Sequence, residues 1–171
     1  TTQTNFEFKS TGGSLYAYST HAQGFFPVPG SCSEGTGGNT GLECRECVNG
    51  VIAGIGTPCT GSSRRNYGFA VHLRHGFIYV KEAAKEQNFF FSGDDDVFVF
   101  LNNRLVLDIG GRHEPQAGSF NIWNSLEEIG RKYPNEAIST GDSAYIDFFI
   151  AERQPGGSQA VITMNMQCIT A

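Results

Sequence analysis

Charged residues are scarce in this chain. Of its 171 residues, 12 are Lys or Arg and 17 are Asp or Glu, so charged residues make up 17% of the sequence against the usual quarter. The small basic share and the formal net charge of -5 exclude the clustered Lys and Arg that electrostatic binding of nucleic acid requires. No apolar run approaches the roughly 20 residues of a membrane helix, so we expect no membrane insertion.

Residues that favour helices are also few, whereas Gly and Phe are abundant. The chain has 22 Gly and 14 Phe. This combination favours strands joined by turns, because strands accept aromatic residues and tight turns use Gly. Hydrophobic residues make up 39% of the chain, which is enough apolar surface for one core. We therefore predict a single folded domain over residues 1–171 rather than a disordered chain.

Short segments of alternating apolar and polar residues predict an all-β fold, an antiparallel β-sandwich of eight or so strands with Gly-rich turns. The clearest strand is the continuous apolar run 97–101, followed by Asn102-Asn103 as a type I′ turn and by a returning strand over 105–109. Helix is predicted only over 81–87 and as one or two amphipathic turns over 125–132. The other predicted strands cover residues 6–8, 14–18, 67–74, 77–80, 89–91, 145–150 and 160–166.

Four of the five cysteines lie in a Gly/Ser/Thr-rich segment, residues 30–63, which we interpret as an inserted loop pinned by disulfides. The four are Cys32, Cys44, Cys47 and Cys59, with gaps of eleven, two and eleven residues. A zinc ribbon would need a second close pair, and a thiol redox motif usually adjoins a βαβ pattern. Three pairings of the four stay open, and Cys168 is a further candidate partner, so one thiol is unpaired or pairs between chains.

Disulfides imply an oxidising compartment, so we expect a secreted or cell-surface protein. The chain begins Thr-Thr-Gln-Thr without an initiator Met or an apolar leader. We therefore expect a mature protein or an excised domain.

Three consecutive carboxylates, Asp94, Asp95 and Asp96, stand directly before the core strand 97–101. They repel one another, and none can be buried without a partner. Ca²⁺ would resolve the conflict, because it takes six to eight oxygen ligands and favours carboxylates. The EF-hand spacing does not fit. The alternative is a solvated acidic turn that protects a sheet edge, and the spacing alone leaves both interpretations open.

The sequence around these aspartates resembles the signature of the fibro-slime domain. The resemblance runs from Ser92-Gly93-Asp94-Asp95-Asp96-Val97 through Asn102-Asn103-Arg104 to Gly110-Gly111-Arg112-His113. Arg65-Asn66-Tyr67-Gly68-Phe69 and Ile146-Asp147-Phe148-Phe149 extending to Arg153 are similar to the flanking pieces of that family. The likeness covers roughly residues 64–168, and the N-terminal third lies outside it.

Fibro-slime domains are similar to the superfamily named for the anthrax protective antigen, found in adhesins, flocculins and glycosidases. The resemblance implies a lectin-like jelly-roll sandwich in which a pair of aspartates, joined by a cis peptide, holds Ca²⁺ that in turn holds sugar hydroxyls. The pair falls on Asp94 and Asp95, whose carboxylates would then aim at one point. Asp96 stands where relatives often carry Gly.

The family's second calcium loop falls on residues 152–158. Here Glu152, Gln154 and the carbonyls around Gly156 are the candidate further metal ligands. The candidate ligand-binding residues are Asp94, Asp95, Asp96, Arg112, His113, Arg153 and Gln154. For His113 the alternative is local hydrogen bonding. We expect Asp108 to stabilise a turn and Trp123, the only Trp, to be partly buried in the core.

These features predict a Ca²⁺-dependent carbohydrate-binding domain for cell-surface adhesion, carried by a larger multidomain protein in which avidity offsets weak single sites. A Ca²⁺-stabilised protein-recognition module is the alternative. We expect no enzyme, because adjacent aspartates pinned to one cation are poorly placed for the acid and base roles of a glycosidase. The sequence also has no nucleophile elbow, zinc-protease helix or phosphate-binding loop.

Overall fold

The computed structural model describes residues 68–153 and 159–165, together with the backbone of four short strands nearer the N-terminus. The four short strands are β1 (Lys9–Gly12), β2 (Leu15–Ser19), β3 (Cys47–Val48) and β4 (Val51–Ile52). They are followed by β5 (Phe69–Ile78), α1 (Lys81–Lys85), β6 (Asn88–Gly93), β7 (Asp96–Leu101), β8 (Arg104–Ile109) and β9 (Gln116–Asn121). The remaining elements are α2 (Ile122–Lys132), a 3-10 turn (Pro134–Glu136), β10 (Ser143–Glu152) and β11 (Ala160–Met164). Apart from β3 and β4, the cysteine-rich loop and its predicted disulfides lie outside the described residues, as does the strand predicted over 6–8.

The strands form two large antiparallel sheets. One has five strands in the order β1-β2-β11-β6-β9, and the other has four in the order β5-β10-β7-β8. β3 and β4 pair separately. This architecture is consistent with the predicted all-β class.

The two large sheets share one hydrophobic core. Alternate residues of β6, β7 and β11 face it, as in β7, where Val97, Val99 and Leu101 are buried. The Phe89 ring, on the five-stranded sheet, lies 5.0 Å from the Phe148 ring on the four-stranded sheet. The inward rows of the two sheets are therefore in direct contact.

The hairpin of β7 and β8 confirms the sequence prediction most closely. Asn102 and Asn103 both have positive φ, 46° and 64°, as a type I′ turn requires. Leu101 pairs with Arg104 across the turn. The Asn102 side chain also accepts a hydrogen bond from the Tyr145 N–H at 2.8 Å, which ties the turn to β10.

Several elements differ from the prediction: β9 is not predicted at all, and the boundaries of β5 and α2 differ for identifiable reasons. The segments predicted separately over 67–74 and 77–80 form the single ten-residue strand β5, because β10 pairs with it along its whole length. Helix α2 begins at Ile122 rather than near residue 125 and makes three turns. The Asn121 side chain caps it by accepting from the Asn124 N–H at 3.0 Å.

Three connections between the two sheets gather at one end of the molecule. Residues 94–95 join β6 to β7, residues 110–115 join β8 to β9, and residues 153–159 join β10 to β11. The strand register places them together, because Gly93 pairs with both Gln116 and Ala160. This end carries the acidic tripeptide.

Candidate functional site

The acidic tripeptide forms a tight crossing between the two sheets. Gly93 ends β6, Asp96 begins β7, and Asp95 has a left-handed backbone with φ of 54°. Asp is one of the few residues other than Gly that enter this region readily. Gly93 is required for a different reason, since a Cβ there would lie 2.4 Å from the Gln159 carbonyl oxygen.

Asp94 is tied to the start of β11. Its backbone N–H donates to the Gln159 carbonyl at 3.3 Å, and the Gln159 N–H donates back to the Asp94 carboxylate. Burial raises the pKa of Asp94, and the nearby charges of Asp95 and Glu114 raise it further, against the hydrogen bond from Gln159, which lowers it. The ionised carboxylate is thus held in a place that disfavours its charge.

Asp95 is tied to the end of β10. Its side chain is buried, with the residue 1% exposed, and its Oδ2 accepts from the Arg153 N–H at 2.7 Å. Asp94 and Asp95 therefore bind the backbone on either side of residues 154–158. A carboxylate oxygen that accepts one hydrogen bond retains a second lone pair.

Asp96 faces away from the core and pairs with a cation. It accepts from the Gly111 N–H at 2.7 Å and forms an ion pair with the Arg153 guanidinium, whose Nη2 donates at 3.0 Å. Asp96 thus joins the 94–95 and 110–115 connections to the strand end that Asp95 holds.

The cis peptide implied by the family resemblance is wrong for this chain. No peptide bond is cis among the residues that the structure describes, and these include Asp94 and Asp95. The positive φ of Asp95 reverses the chain instead. The two carboxylates accept hydrogen bonds from two different backbone groups, at Gln159 and Arg153.

Asp94 and Asp95 carry the least compensated charge of the three. In the described part of the chain, neither forms an ion pair with a Lys, Arg or His side chain. Glu152, the residue before Arg153, is also buried, 3% exposed, and does have an interaction partner. A buried carboxylate without a cationic partner destabilises the folded state by about several kcal/mol, unless another group supplies the positive charge.

The donors here suit a hard cation only in part. Within residues 68–153 and 159–165, no three His, Cys, Asp or Glu side chains are grouped as a metal site. A cation at Asp94 and Asp95 would therefore take its remaining ligands from carbonyl oxygens or water, as Ca²⁺ does. The predicted ligands Gln154 and Gly156 lie outside the described residues.

The 110–115 connection is organised by its own hydrogen bonds. His113 Nδ1 lies 2.9 Å from the Glu114 carbonyl oxygen, and Nε2 lies 3.2 Å from the Ile109 carbonyl oxygen. Both ring nitrogens thus face local carbonyls, which favours the local role over direct metal binding. Asp108 stabilises the same turn by accepting from the Gly110 N–H at 2.9 Å, as predicted. Arg112 is exposed beside them.

Sequence reasoning missed a second group of side chains, on the outer face of the four-stranded sheet. Asp147 is buried there. Its Oδ1 is hydrogen-bonded to His72 Nε2 at 2.7 Å and lies 3.7 Å from the Arg74 guanidinium. The His72 ring stacks on Phe149, with centroids 4.3 Å apart. The sequence feature that could have predicted this group is the single Asp147 within the apolar segment Tyr145 to Ile150. The strand that pairs with this segment carries His72 and Arg74 at alternate positions.

Another groove in the described part of the chain lies away from the aspartates. It has a volume of about 600 Å³ and runs between β8 and α2. Its main polar group, Arg104, is already held over the Tyr133 ring at 3.6 Å and paired with Glu136.

Trp123 is half-buried against the core, as predicted. No helix among the described residues is long and apolar enough to span a membrane.

Sequence comparison shows similarity to proteins of Dictyostelium discoideum. Protein psiO is 35% identical over 111 residues, which are 64% of this chain and 13% of that protein. Protein psiB is 31% identical over 156 residues, 91% of this chain and 22% of that protein, and protein psiQ is 30% identical over 158 residues, 92% and 13%. The chain thus spans between 13% and 22% of the length of these relatives.

Similarity to solved structures is distant, and no family model matches the chain. The β-D-glucuronidase of Dictyoglomus thermophilum superposes on 57% of this chain and 21% of its own, with 15% identity and a TM-score of 0.30. A glycosyl hydrolase family 2 member from Bacteroides cellulosilyticus covers 72% and 20%, with 12% identity and a TM-score of 0.33.

Proposed function

We propose that this chain is a Ca²⁺-dependent carbohydrate-binding domain. The observation that supports the proposal is the state of Asp94 and Asp95: one half-buried and one buried carboxylate, adjacent, without a cationic side-chain partner among the described residues. Ca²⁺ supplies the missing charge and, when bound, offers coordination positions to vicinal sugar hydroxyls.

In this proposal some residues of the site bind the metal and others bind the sugar. Asp94 and Asp95 hold the cation through the lone pairs that Gln159 and Arg153 leave open, with Glu152, Gln154 and the Gly156 carbonyl as the proposed further ligands. Asp96, Arg112, His113, Arg153 and Gln154 are the proposed contacts of the sugar hydroxyls. Hydrogen bonds from Gln159, Arg153 and Gly111 hold Asp94, Asp95 and Asp96 in place without the metal, so these three need little ordering on binding.

The fold is proposed to be a lectin-like jelly-roll sandwich of the fibro-slime type, built from the two large sheets that share the core. We propose a secreted or cell-surface location, inside a longer multidomain protein. The relatives are several times longer than the matched segment, which supports only the part of the proposal that places the chain in a longer protein.

The role is proposed to be binding rather than catalysis. Asp94 and Asp95 share one tight turn, and each is engaged by a backbone N–H. An acid and a base on either side of a glycosidic bond need a separation of about 5–9 Å and freedom to exchange protons.

A glycan array with Ca²⁺ and with EDTA tests the function. For the wild type we expect glycan signals in Ca²⁺ that EDTA abolishes. For Asp95→Asn we expect no glycan signal in either Ca²⁺ or EDTA. Asn keeps the left-handed backbone and the acceptor for Arg153 while it removes the charge. Asp108→Asn is the matched control, because Asp108 is an exposed acceptor in a turn. A blank array together with a Ca²⁺-dependent rise in melting temperature would instead identify a protein-recognition module.

A further inference from the structure

The outer face of the four-stranded sheet carries most of the exposed large apolar side chains. Of the five most exposed in the described part of the chain, four lie on the strands of this sheet: Ile78, Leu105, Tyr145 and Phe149. The fifth, Phe90, belongs to the other sheet. Of these four side chains, Phe149 also lines a concave trough, and a concave apolar surface is the usual form of a binding site.

A trough crosses this face beside the candidate cation site. Its volume is about 450 Å³, within the usual range for small-molecule sites. The floor is a row of small side chains, since Ala70 and Ala151 are paired across β5 and β10. One wall is the next row along the strands, formed by His72, Phe149 and Phe98, which are also register partners.

The aromatic wall is held in place before any ligand arrives. The His72 and Phe149 planes are within 2° of parallel, and the Phe100 ring meets Phe149 edge-on at 5.6 Å. Asp147 holds the His72 ring from below through its carboxylate. Fixed aromatic rings lose little conformational entropy when they bind.

The other side of the trough is polar and leads to the aspartates. Asp96 and Arg153 line it as an ion pair. Arg153 contacts Asp96 through Nε and Nη2. The third guanidinium nitrogen, Nη1, makes no contact with Asp96. The Arg153 backbone N–H is the group that Asp95 binds. The trough and the cation site are therefore contiguous.

We infer that the trough is a second saccharide subsite, which accommodates the sugar next to the one at the cation, so that the domain binds oligosaccharides. This inference rests on the proposed function. A pyranose has an apolar face that packs on aromatic rings and an edge of hydroxyls that need both donors and acceptors. The trough offers both, with small Ala side chains where the ring would lie.

The test measures affinity against sugar length by calorimetry in Ca²⁺. The probes are glucose, galactose and mannose with their di- and trisaccharides. For the sugar that binds the wild type, we expect the trisaccharide to bind roughly tenfold more tightly than the monosaccharide, equivalent to about 1.4 kcal/mol. Phe149→Thr should lose this gain while it keeps the monosaccharide affinity. Ala70→Leu, which fills the floor from an exposed position on an edge strand, should do the same.

Tyr145→Thr is the matched control. Tyr145 is on the same strand and the same face as Phe149 and is equally exposed, 41% against 42%, but lies outside the trough. It should retain the gain. A gain that persists in both trough variants, or sugar binding in the wild type without any gain, overturns the subsite and leaves the proposed function intact. A wild type that binds no probe overturns both.

Discussion

At the scale of single residues, three consecutive aspartates occupy three different environments. Asp94 is half-buried and its pKa is raised, Asp95 is buried in a left-handed backbone, and Asp96 pairs with Arg153. The sequence predicts that the three lie at the mouth of a core strand, because that depends on local pattern. It does not predict the N–H groups of Gln159 and Arg153 as their partners, because these lie 58 to 65 residues away and depend on sheet register.

Replacement of Asp95 separates its structural role from its charge. In EDTA, Asp95→Ala should lower the free energy of unfolding by about 2–3 kcal/mol, because Ala strains at φ of 54° and leaves the Arg153 N–H without its acceptor. Asp95→Asn should lower it by less than about 1 kcal/mol, since Asn tolerates this backbone and still accepts. Urea denaturation measures both, and equal losses would contradict the geometry.

Arg104 and Glu136 give a pH-dependent contribution to stability. The hydrogen bond from Arg104 lowers the pKa of Glu136 below its ordinary value of 4.5. The ionised pair therefore stabilises the protein above pH 4.5, and the stabilisation is lost as the pH falls through the lowered pKa.

The melting temperature of Glu136→Gln should accordingly lie below that of the wild type at pH 7 and converge with it in acid. Glu128→Gln is the control, since Glu128 is exposed and forms no ion pair with another described residue. A difference that is the same at pH 7 and pH 3 would refute the pairing.

At the scale of elements, local chemistry predicts hairpins well and long strands poorly. The β7–β8 hairpin follows from an apolar run and two Asn residues. β5 is ten residues long because β10 pairs along it, and its Gly76 looks like a break in sequence. Helix α2 begins early because Asn121, at the end of β9, caps it. β5 is thus extended by a partner distant in sequence, and α2 by the residue directly before it.

Two glycines of the five-stranded sheet, Gly93 in β6 and Gly118 in β9, should differ in tolerance to a methyl group. Gly93→Ala should cost about 3 kcal/mol, because the new Cβ would lie 2.4 Å from the Gln159 carbonyl, part of the backbone. Gly118→Ala should cost about 1 kcal/mol, because its Cβ would meet the Leu107 Cδ1, at 2.6 Å, and Ile109 side-chain ends that can move. Urea midpoints compare the two, and a larger loss at Gly118 would contradict this ranking.

At the scale of the molecule, the two sheets place chemistry at one end and apolar surface on one face. Three sheet-to-sheet connections meet at the aspartates, and Asp96 and Arg153 join that end to the aromatic trough. The sequence predicts the end from the family resemblance and the acidic tripeptide. The sequence does not predict the trough on the outer face of the four-stranded sheet, because the trough arises from the register between β5, β10 and β7.

The central claim is that Asp94 and Asp95 bind Ca²⁺, and calorimetric titration of Ca²⁺ tests it most directly. We predict saturable binding in the wild type and in Asp108→Asn, and none in the Asp94→Asn, Asp95→Asn double variant, which retains both acceptors for Gln159 and Arg153. Undiminished Ca²⁺ binding by that double variant, folded as judged by its urea midpoint, would contradict the account.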